Sequence, residues 1–250
     1  MAGILLVTGA SRGIGAATAR LAAQRGWDVA INYAGNHAAA EAVAADVRKA
    51  GRRAVTIQAD VGDPEAVRAL FARVDRELGV LDGFVNNAGI LWPHSRFVDI
   101  RGEQLARSIA VNLTGTFTAA QEAVRRMSKR LGGKGGVIVN MSSMAGKLGG
   151  AFECLDYAVT KGALDTMTVG LAKELAAEGV RVNGLRPGLI ETEIHASAGE
   201  PGRVARLMSS VPLGRGGTAD EVAEAAVWLL SDAARYITGV TVDVAGGRGI

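Results

Sequence analysis

Short runs of β-branched and aliphatic residues recur along this 250-residue chain, and segments with helical periodicity separate them. This alternation favours a doubly wound α/β fold, in which right-handed crossovers join parallel strands. Two of the runs are continuously apolar, as is typical of strands buried on both faces of a sheet. The predicted strands are Gly3–Val7, Asp28–Ile31, Ala54–Ile57, Leu81–Val85, Gly136–Asn140, Val180–Leu185 and Val240–Val244. We therefore expect one parallel sheet of about seven strands with helices on both faces.

The chain shows no linker-like stretch and no internal repeat, so we expect one domain over residues 1–250. Two helix starts carry clear capping residues: Asp63 stands before Pro64, and Thr218 is followed by Glu221. The least regular segment, about residues 191–217, is rich in Gly, Ser and Pro. A long irregular segment in such a domain is usually functional, so we predict a substrate loop there.

Composition excludes several classes of protein. Lys and Arg number 28 against 25 Asp and Glu, and the net charge is +3, with aromatic residues at 4%. This balance does not favour a nucleic-acid-binding surface. No segment has the apolar length of a membrane span, and Met1, Ala2 and Gly3 carry no basic region of a signal sequence. The single Cys154 excludes an internal disulfide framework. We expect a soluble, cytoplasmic protein.

A glycine-rich turn follows the first predicted strand. It reads Thr8-Gly9-Ala10-Ser11-Arg12-Gly13-Ile14-Gly15 and leads into a helical segment. Backbone N–H groups and the helix N-terminus in such a turn can bind a phosphate. We expect Gly9 to allow the tight turn, Gly13 the approach of a pyrophosphate and Gly15 close packing of helix on sheet. A strand-to-helix turn without a ligand is the alternative, but the position at the first strand favours a nucleotide site.

Tyr157 and Lys161 are four residues apart in a helical segment and therefore share one face. A neighbouring ammonium favours the phenolate form of a tyrosine and lowers its pKa, so this Tyr could exchange a proton with a substrate. An amphipathic helix with a solvated Lys would give the same spacing. Ser143, fourteen positions before Tyr157, together with the glycine turn, favours the catalytic interpretation.

These motifs together resemble the classical short-chain dehydrogenases/reductases. The resemblance covers essentially the whole chain and includes the glycine turn, Asp60-Val61, Asn86-Asn87-Ala88-Gly89, Asn112, Ser142-Ser143, Tyr157 to Lys161, Pro187-Gly188 and Thr192. It implies a Rossmann-type fold and oxidoreduction of a carbonyl or alcohol by hydride transfer. It also implies that Tyr157 is the general acid or base, that Lys161 lowers the pKa of Tyr157, that Ser143 binds the substrate oxygen and that Asn112 supports an active-site water.

The cofactor is expected to be NADP rather than NAD. The second predicted strand is followed by no carboxylate for a ribose hydroxyl, and Arg12 in the glycine turn could bind a 2′-phosphate. The alternative is NAD bound through Asn32 or Tyr33. The expected cofactor-binding residues are Gly9, Ser11, Arg12, Gly13, Ile14, Gly15, Asn32, Tyr33, Asp60, Val61, Asn87, Ala88, Gly89, Tyr157, Lys161, Pro187, Gly188, Ile190 and Thr192.

The substrate is expected to be a small carbonyl or alcohol, in an enzyme similar to a carbonyl reductase, a 3-ketoacyl reductase or a sugar dehydrogenase. The predicted substrate residues are Ser143, Trp92, His94, Phe152, Glu153, Tyr157, Gly188 and His195, with Leu91, Lys147 and Cys154 as further candidates. Either Ser142 or Ser143 could be the catalytic serine, and we choose Ser143. The three histidines have no metal-ligand spacing, so no metal is expected.

Relatives of this kind imply a homotetramer, with contacts from the Asn112 helix, the Tyr157 helix and the segment Val240–Ile250. Three other functions remain as alternatives: a catalytically inactive, NADP-sensing binding protein on the same fold, a sugar-nucleotide epimerase or dehydratase, and a nucleic-acid binder. The intact Asn112, Ser143, Tyr157 and Lys161 argue against the first, and the short chain argues against the second.

Overall fold

Seven parallel strands form one sheet in the order β3-β2-β1-β4-β5-β6-β7. The computed structural model describes residues 3–250, so the signal-sequence prediction for Met1 and Ala2 lies outside the described residues. The strands are β1 Ile4–Val7, β2 Asp28–Tyr33, β3 Ala54–Gln58, β4 Gly83–Asn86, β5 Gly136–Met141, β6 Val180–Pro187 and β7 Thr241–Val244. The strand order reverses between β1 and β4, and the crevice at the carboxyl ends of such strands is where nucleotides bind.

Ten α-helices connect the strands within the described residues. They are α1 Gly13–Gln24, α2 His37–Lys49, α3 Pro64–Glu77, α4 Gly102–Ile109, α5 Thr116–Met127, α6 Met144–Leu148, α7 Leu155–Leu175, α8 Glu193–Ser197, α9 Arg203–Leu207 and α10 Ala219–Leu230. A π-helical turn, Ala110–Gly115, joins α4 to α5. Single 3₁₀ turns lie at Phe97–Asp99, Lys129–Leu131, Ala176–Glu178, Met208–Ser210 and Asp232–Ala234. Within residues 3–250, no helix combines the length and apolar character that crossing a bilayer requires.

The helices cover both faces of the sheet, and each face has its own apolar core. Helices α1, α2 and α10 pack on one face, and α3, α5 and α7 pack on the other. Successive strand side chains point to opposite faces, so Val7 joins the first core and Leu6 the second. This double burial explains the continuously apolar run of β1 and confirms the predicted Rossmann-type fold.

Four strands, β2, β3, β5 and β6, are longer than their apolar runs predicted, and β2 and β6 each gain two residues. β2 continues through Asn32 and Tyr33, which pair with Ile57 and Gln58 of β3. The Asn32 side chain is buried, and its amide donates to the carbonyl oxygens of Ile57 and Ala59 at 3.3 and 3.0 Å. A polar residue therefore extends the strand because the neighbouring strand satisfies it, which apolar periodicity does not reveal.

The predicted substrate loop contains two short helices, α8 and α9. Its ends are joined: Ile190 and Gly217 form a parallel bridge, and the Glu191 N–H donates to the Gly217 carbonyl at 2.9 Å. The segment therefore leaves and rejoins the carboxyl edge of the sheet at one place.

Candidate active site

A cleft opens at the carboxyl ends of β4, β5 and β6, beside the start of α1. The chain places many of the predicted residues around it. Those that line it are Ile14, Asn87, Gly89, Ser143, Tyr157, Lys161, Pro187, Gly188, Ile190, Thr192 and His195, together with Leu91, Ser142 and Cys154. Residues from widely separated parts of the sequence thus meet at one edge of the sheet.

The glycine turn is held by hydrogen bonds from both neighbouring strands. The Gly9 N–H donates to Oδ1 of Asn32 at 3.2 Å, and the Asn87 amide donates to the carbonyl oxygens of Thr8 and Gly9 at 2.8 and 3.2 Å. Gly9 and Gly13 have φ values of +62° and +53°, which side chains disfavour. The turn is therefore fixed in position before any ligand binds.

The N-terminus of α1 suits an anion. Arg12 precedes the helix without a side-chain cap, and the first turn holds no acidic residue. By contrast, α2 and α3 are capped by Asn36 and Asp63. Free N–H groups and the helix dipole at such an end favour a phosphate. A Cβ added to Gly13 would lie 3.4 Å from Cγ2 of Thr192, so this predicted residue adjoins the turn. The turn fits the pyrophosphate of a dinucleotide.

The residues predicted around the adenosine end have partners within the protein. Asn32 is buried and uses its whole amide to hold the glycine turn and β3. The Tyr33 hydroxyl shares a hydrogen bond with Nδ1 of His37 at 2.9 Å. Asp60 accepts from Arg107 at 2.7 Å and from the Gly62 N–H at 2.9 Å, and Val61 is buried next to it.

Arg12 and Ala88 adjoin the glycine turn from two directions. Nη1 of Arg12 donates to the Ser197 hydroxyl of α8 at 3.2 Å, and this contact is exposed. The Ala88 N–H donates to the Thr8 hydroxyl at 3.1 Å. The guanidinium therefore lies at the surface between the turn and the substrate loop, where a single neutral hydrogen bond holds it.

Lys161 and Tyr157 lie in the first turns of α7, and both face the cleft. Nζ of Lys161 is buried, donates to the Met141 carbonyl at the end of β5 at 2.7 Å and lies 5.4 Å from the centroid of the Tyr157 ring. The alternative of a solvated Lys does not fit this burial.

The two adjacent serines have different roles. The Ser142 hydroxyl donates to the Lys161 carbonyl at 3.0 Å and is buried in this contact. The Ser143 hydroxyl caps α6 by accepting from the Ala145 N–H at 3.1 Å, and it interacts with the Tyr157 phenol. The geometry favours Ser143 as the serine that acts with Tyr157, because Ser142 fixes the backbone of α7.

The pKa values correct one expectation. Burial raises the pKa of Tyr157 to about 12, and the hydrogen bond with Ser143 acts in the opposite direction. Burial lowers the pKa of Lys161 to about 8, against the attraction of Asp165. The sequence predicts that Lys161 lowers the pKa of Tyr157. In this structure desolvation is the largest influence on the phenol, and the charge of Lys161 is not among the causes of its pKa shift. The phenol therefore holds its proton at neutral pH.

Replacing Lys161 by Met is expected to stabilise the protein by about 1–3 kcal/mol at neutral pH, because a buried ammonium loses its hydration. The unfolded chain has the ordinary Lys pKa of 10.5 and the folded one about 8, so between these values the unfolded chain binds more protons. The wild type then gains stability as the pH rises. The difference in free energy of unfolding between Lys161→Met and the wild type therefore becomes smaller. Urea unfolding at several pH values measures this. The same change at the exposed Lys49 is the control, and an advantage of Lys161→Met that does not vary with pH would contradict the assignment.

Asn112 is buried in the π-helical turn between α4 and α5. Its Oδ1 accepts from the Ile90 N–H at 2.8 Å, and its amide donates to the Ile90 carbonyl at 2.9 Å. A Cβ added to Gly89 would lie 3.4 Å from Oδ1 of Asn112 and 3.5 Å from Nζ of Lys161. The side chain thus holds the segment after β4 next to Lys161, which explains a polar residue in a helix interior.

The substrate side of the cleft differs in part from the predicted set. His195 lines it, and its Nε2 shares a hydrogen bond of 3.0 Å with the Ile190 carbonyl. Burial and the charge of Arg203 lower the pKa of His195, so the ring is neutral at neutral pH. Burial also raises the pKa of the Cys154 thiol, which fits a passive wall residue.

Four of the predicted substrate residues do not line this cleft. Phe152 is 81% exposed, and His94 pairs with Glu200 at 3.1 Å. Trp92 is also outside the lining, and Glu153 forms ion pairs with Arg203 and Arg206. Lys147 pairs with Asp243 at 2.8 Å.

Sequence reasoning missed several residues that line the cleft, and two of them, Arg203 and Arg248, are charged. Neither belongs to a motif, and each lies in a glycine-rich segment without periodicity. Only the path of the chain brings them to the strand ends, so no local signal could have identified them. Within residues 3–250, no cluster of His, Cys, Asp and Glu has the composition of a metal site.

The comparisons with known proteins agree with one another, and each covers nearly the whole chain. A family model described as enoyl-(acyl carrier protein) reductase matches residues 9–248. A protein of Escherichia coli named uncharacterized oxidoreductase YgfF is 51% identical over 245 residues, which are 98% of this chain and 99% of that protein. The 3-oxoacyl-(acyl-carrier-protein) reductase FabG of Staphylococcus aureus is 36% identical over 242 residues, 97% of this chain and 96% of that one. A short chain dehydrogenase from Burkholderia cenocepacia, solved in complex with NADP, has a TM-score of 0.90, 34% identity and coverage of 98% and 97%.

Proposed function

Because this chain belongs to the classical short-chain dehydrogenase/reductase family and is an oxidoreductase that acts on CH–OH groups with NAD(P), we propose that it reduces a ketone or aldehyde to an alcohol with NADPH. One observation carries this proposal. Ser143, Tyr157 and Lys161 converge in one cleft, next to a helix N-terminus that suits a pyrophosphate.

The nicotinamide supplies the hydride when it is bound, and the side chains of this protein supply position and a proton. The Ser143 hydroxyl is placed to donate to a carbonyl oxygen and to stabilise the charge that develops on it. The Tyr157 phenol, protonated because burial raises its pKa to about 12, then donates its proton to that oxygen. A phenol that holds its proton at neutral pH favours reduction over oxidation.

Lys161 lies beside the proton source and can return a proton to it. Its ammonium donates to the Met141 carbonyl and lies close to the Tyr157 ring. Its pKa of about 8 lies near neutrality. The ammonium can therefore donate a proton to the Tyr157 phenolate that the reaction leaves. Asn112 keeps the segment after β4 against Lys161 through both hydrogen bonds to Ile90.

The charges of the segment after β2 and of the glycine turn support a preference for NADP over NAD. The segment after β2, Ala34-Gly35-Asn36, contains no carboxylate that would repel a 2′-phosphate. The guanidinium of Arg12 is exposed at the glycine turn, and among the described residues 3–250 only one neutral hydrogen bond, to Ser197, engages it. A phosphate would replace that contact by charge-assisted hydrogen bonds, which are about twice as strong as neutral ones.

The alternative function is an NADP-sensing protein without catalysis. Burial of Lys161 argues against it, because an ammonium with a pKa lowered to about 8 destabilises the fold at neutral pH. A Leu or Met at the same position would remove that cost. A catalytic site explains why such a group is retained.

The test is a panel of ketones, aldehydes and alcohols with both coenzymes, followed by the absorbance of the reduced nicotinamide. We expect oxidation of NADPH by at least one carbonyl, with kcat/KM for NADPH at least about ten-fold above that for NADH. Replacing Arg12 by Ser should remove most of that preference, whereas the same change at the exposed Arg101 should not. An absence of turnover combined with tight NADPH binding would favour the sensor.

The homotetramer remains a proposal, and exposed apolar side chains support it. Leu105 and Ile109 of α4, Phe117 of α5, and Val159 and Val169 of α7 are all exposed in the single chain. These helices carry the expected contact surfaces, and apolar residues grouped on neighbouring helices are typical of protein–protein interfaces.

A further inference from the structure

A cluster of charged residues whose charges do not balance lies beside the substrate side of the cleft, and two of its members, Arg203 and Arg248, line the cleft. It comprises Arg203, Arg206 and Arg248 with the carboxylates of Glu153 and Glu200. Glu153 pairs with Arg203 and, at 2.9 Å, with Arg206, and Arg206 also pairs with Glu200. Within residues 3–250, Arg248 takes part in none of the ion pairs of this cluster. One positive charge is therefore left without a carboxylate partner.

Backbone contacts on two sides fix the position of Arg248. The Leu213 N–H, from the substrate loop, donates to the Gly246 carbonyl at 3.0 Å, and the Arg248 N–H donates to the Ala245 carbonyl at 3.1 Å. A Cβ added to Gly249 would lie 2.5 Å from Cε of Met144 in α6, so this turn is tightly packed. The Arg248 side chain lines the cleft that also contains Ser143 and Tyr157.

The neighbourhood of Arg248 is poorly suited to an unpaired cation. Burial lowers the pKa of Arg248, and the positive charge of Arg203 acts in the same direction. Nε of Arg203 is buried and has no hydrogen-bond partner within the described residues. A buried donor and a partly buried cation without partners both cost stability, and an anionic ligand would satisfy both.

We propose, resting on the oxidoreductase function above, that the substrate carries a carboxylate that binds the Arg248 guanidinium and Nε of Arg203 while its carbonyl faces Ser143 and Tyr157. A carboxylate matches the cluster better than a phosphate, because its single negative charge balances the one unpaired guanidinium. Arginine is also suited to carboxylates, since its planar group donates two parallel hydrogen bonds.

The first experiment compares oxo acids with their methyl esters, using pyruvate, acetoacetate and levulinate as the acids and NADPH as the coenzyme. For the best acid we expect kcat/KM at least about ten-fold above that of its ester, chiefly through KM. Arg248→Gln should bring the ratio of acid to ester kcat/KM close to one, and Arg248→Lys should restore part of that ratio. Arg130→Gln, which removes the same charge from an exposed position before β5, is the control.

A second measurement does not depend on turnover. With NADP present, levulinate should raise the melting temperature of the wild type and of Arg130→Gln, but not that of Arg248→Gln, and methyl levulinate should raise none of them. Ester turnover equal to acid turnover, or equal losses for both in Arg248→Gln, would overturn the carboxylate proposal and leave the oxidoreductase function standing. Acid-dependent stabilisation without turnover of any carbonyl would instead overturn the catalytic proposal. Equal stabilisation by both compounds would overturn the role of Arg248.

Discussion

Tyr157→Phe is expected to lower kcat for carbonyl reduction by about three orders of magnitude while the Kd for NADPH changes less than about three-fold. The change removes one hydroxyl oxygen and its proton from a ring that lies in the cleft with Ser143 and Lys161. The other proton-bearing groups of the cleft are engaged or unsuited to this step: Ser143 caps α6 and Lys161 donates to the Met141 carbonyl, while His195 is neutral and the thiol of Cys154 has a raised pKa.

Single-turnover reduction of a carbonyl and a separate titration with NADPH measure the two quantities. The matched control is Tyr236→Phe, the same change at a fully exposed position, which should leave both unchanged. A Tyr157→Phe protein that retains more than about one tenth of the wild-type kcat would mean that the proton comes from elsewhere.

Gly15→Ala is expected to weaken NADPH binding by about a hundred-fold and to destabilise the protein by about 1–3 kcal/mol. A Cβ at this position would lie 2.5 Å from the Gly9 carbonyl oxygen and 2.6 Å from the amide nitrogen of Asn87. The Gly9 contact is with backbone, and Asn87 is itself bound to Thr8 and Gly9, so neither atom can move without distorting the glycine turn.

Gly170→Ala is the matched control, since it adds the same methyl group to the interior of a helix. A Cβ on Gly170 would meet nothing within 4 Å, so this variant should gain up to about 1 kcal/mol from helix propensity and bind NADPH normally. Urea unfolding and fluorescence titration with NADPH measure both proteins. Normal coenzyme binding by Gly15→Ala would show that the turn does not hold the pyrophosphate.

The fold could be predicted because its signals are local. Each strand of the sheet contains apolar residues that its sequence pattern shows, and burial on both faces made the run of β1 continuous. The ends of β2 and β6 could not be predicted in this way, because Asn32, Arg186 and Pro187 are in the sheet through pairing with neighbouring strands. Their place depends on register, which is a property of two segments that are distant in sequence.

The arrangement of the candidate site could be predicted where one helix or one turn contains all the functional groups concerned. The spacing of Tyr157 and Lys161 puts them on one face of a helix, and the glycine turn indicates an anion site. The sequence does not show that these groups are buried, so the predicted direction of the pKa change at Tyr157 was wrong. Arg203 and Arg248 were missed because only tertiary packing brings them beside α6 and the strand ends.

The bridge between Ile190 and Gly217 makes the segment it encloses an exchangeable module. Because the two ends meet side by side, a longer or shorter insertion there leaves the spacing of β6 and α10 unchanged. The glycine turn and Lys161 belong to other elements and would keep their geometry. One scaffold can therefore acquire new substrates by replacing this module, and the machinery for hydride transfer would be inherited intact.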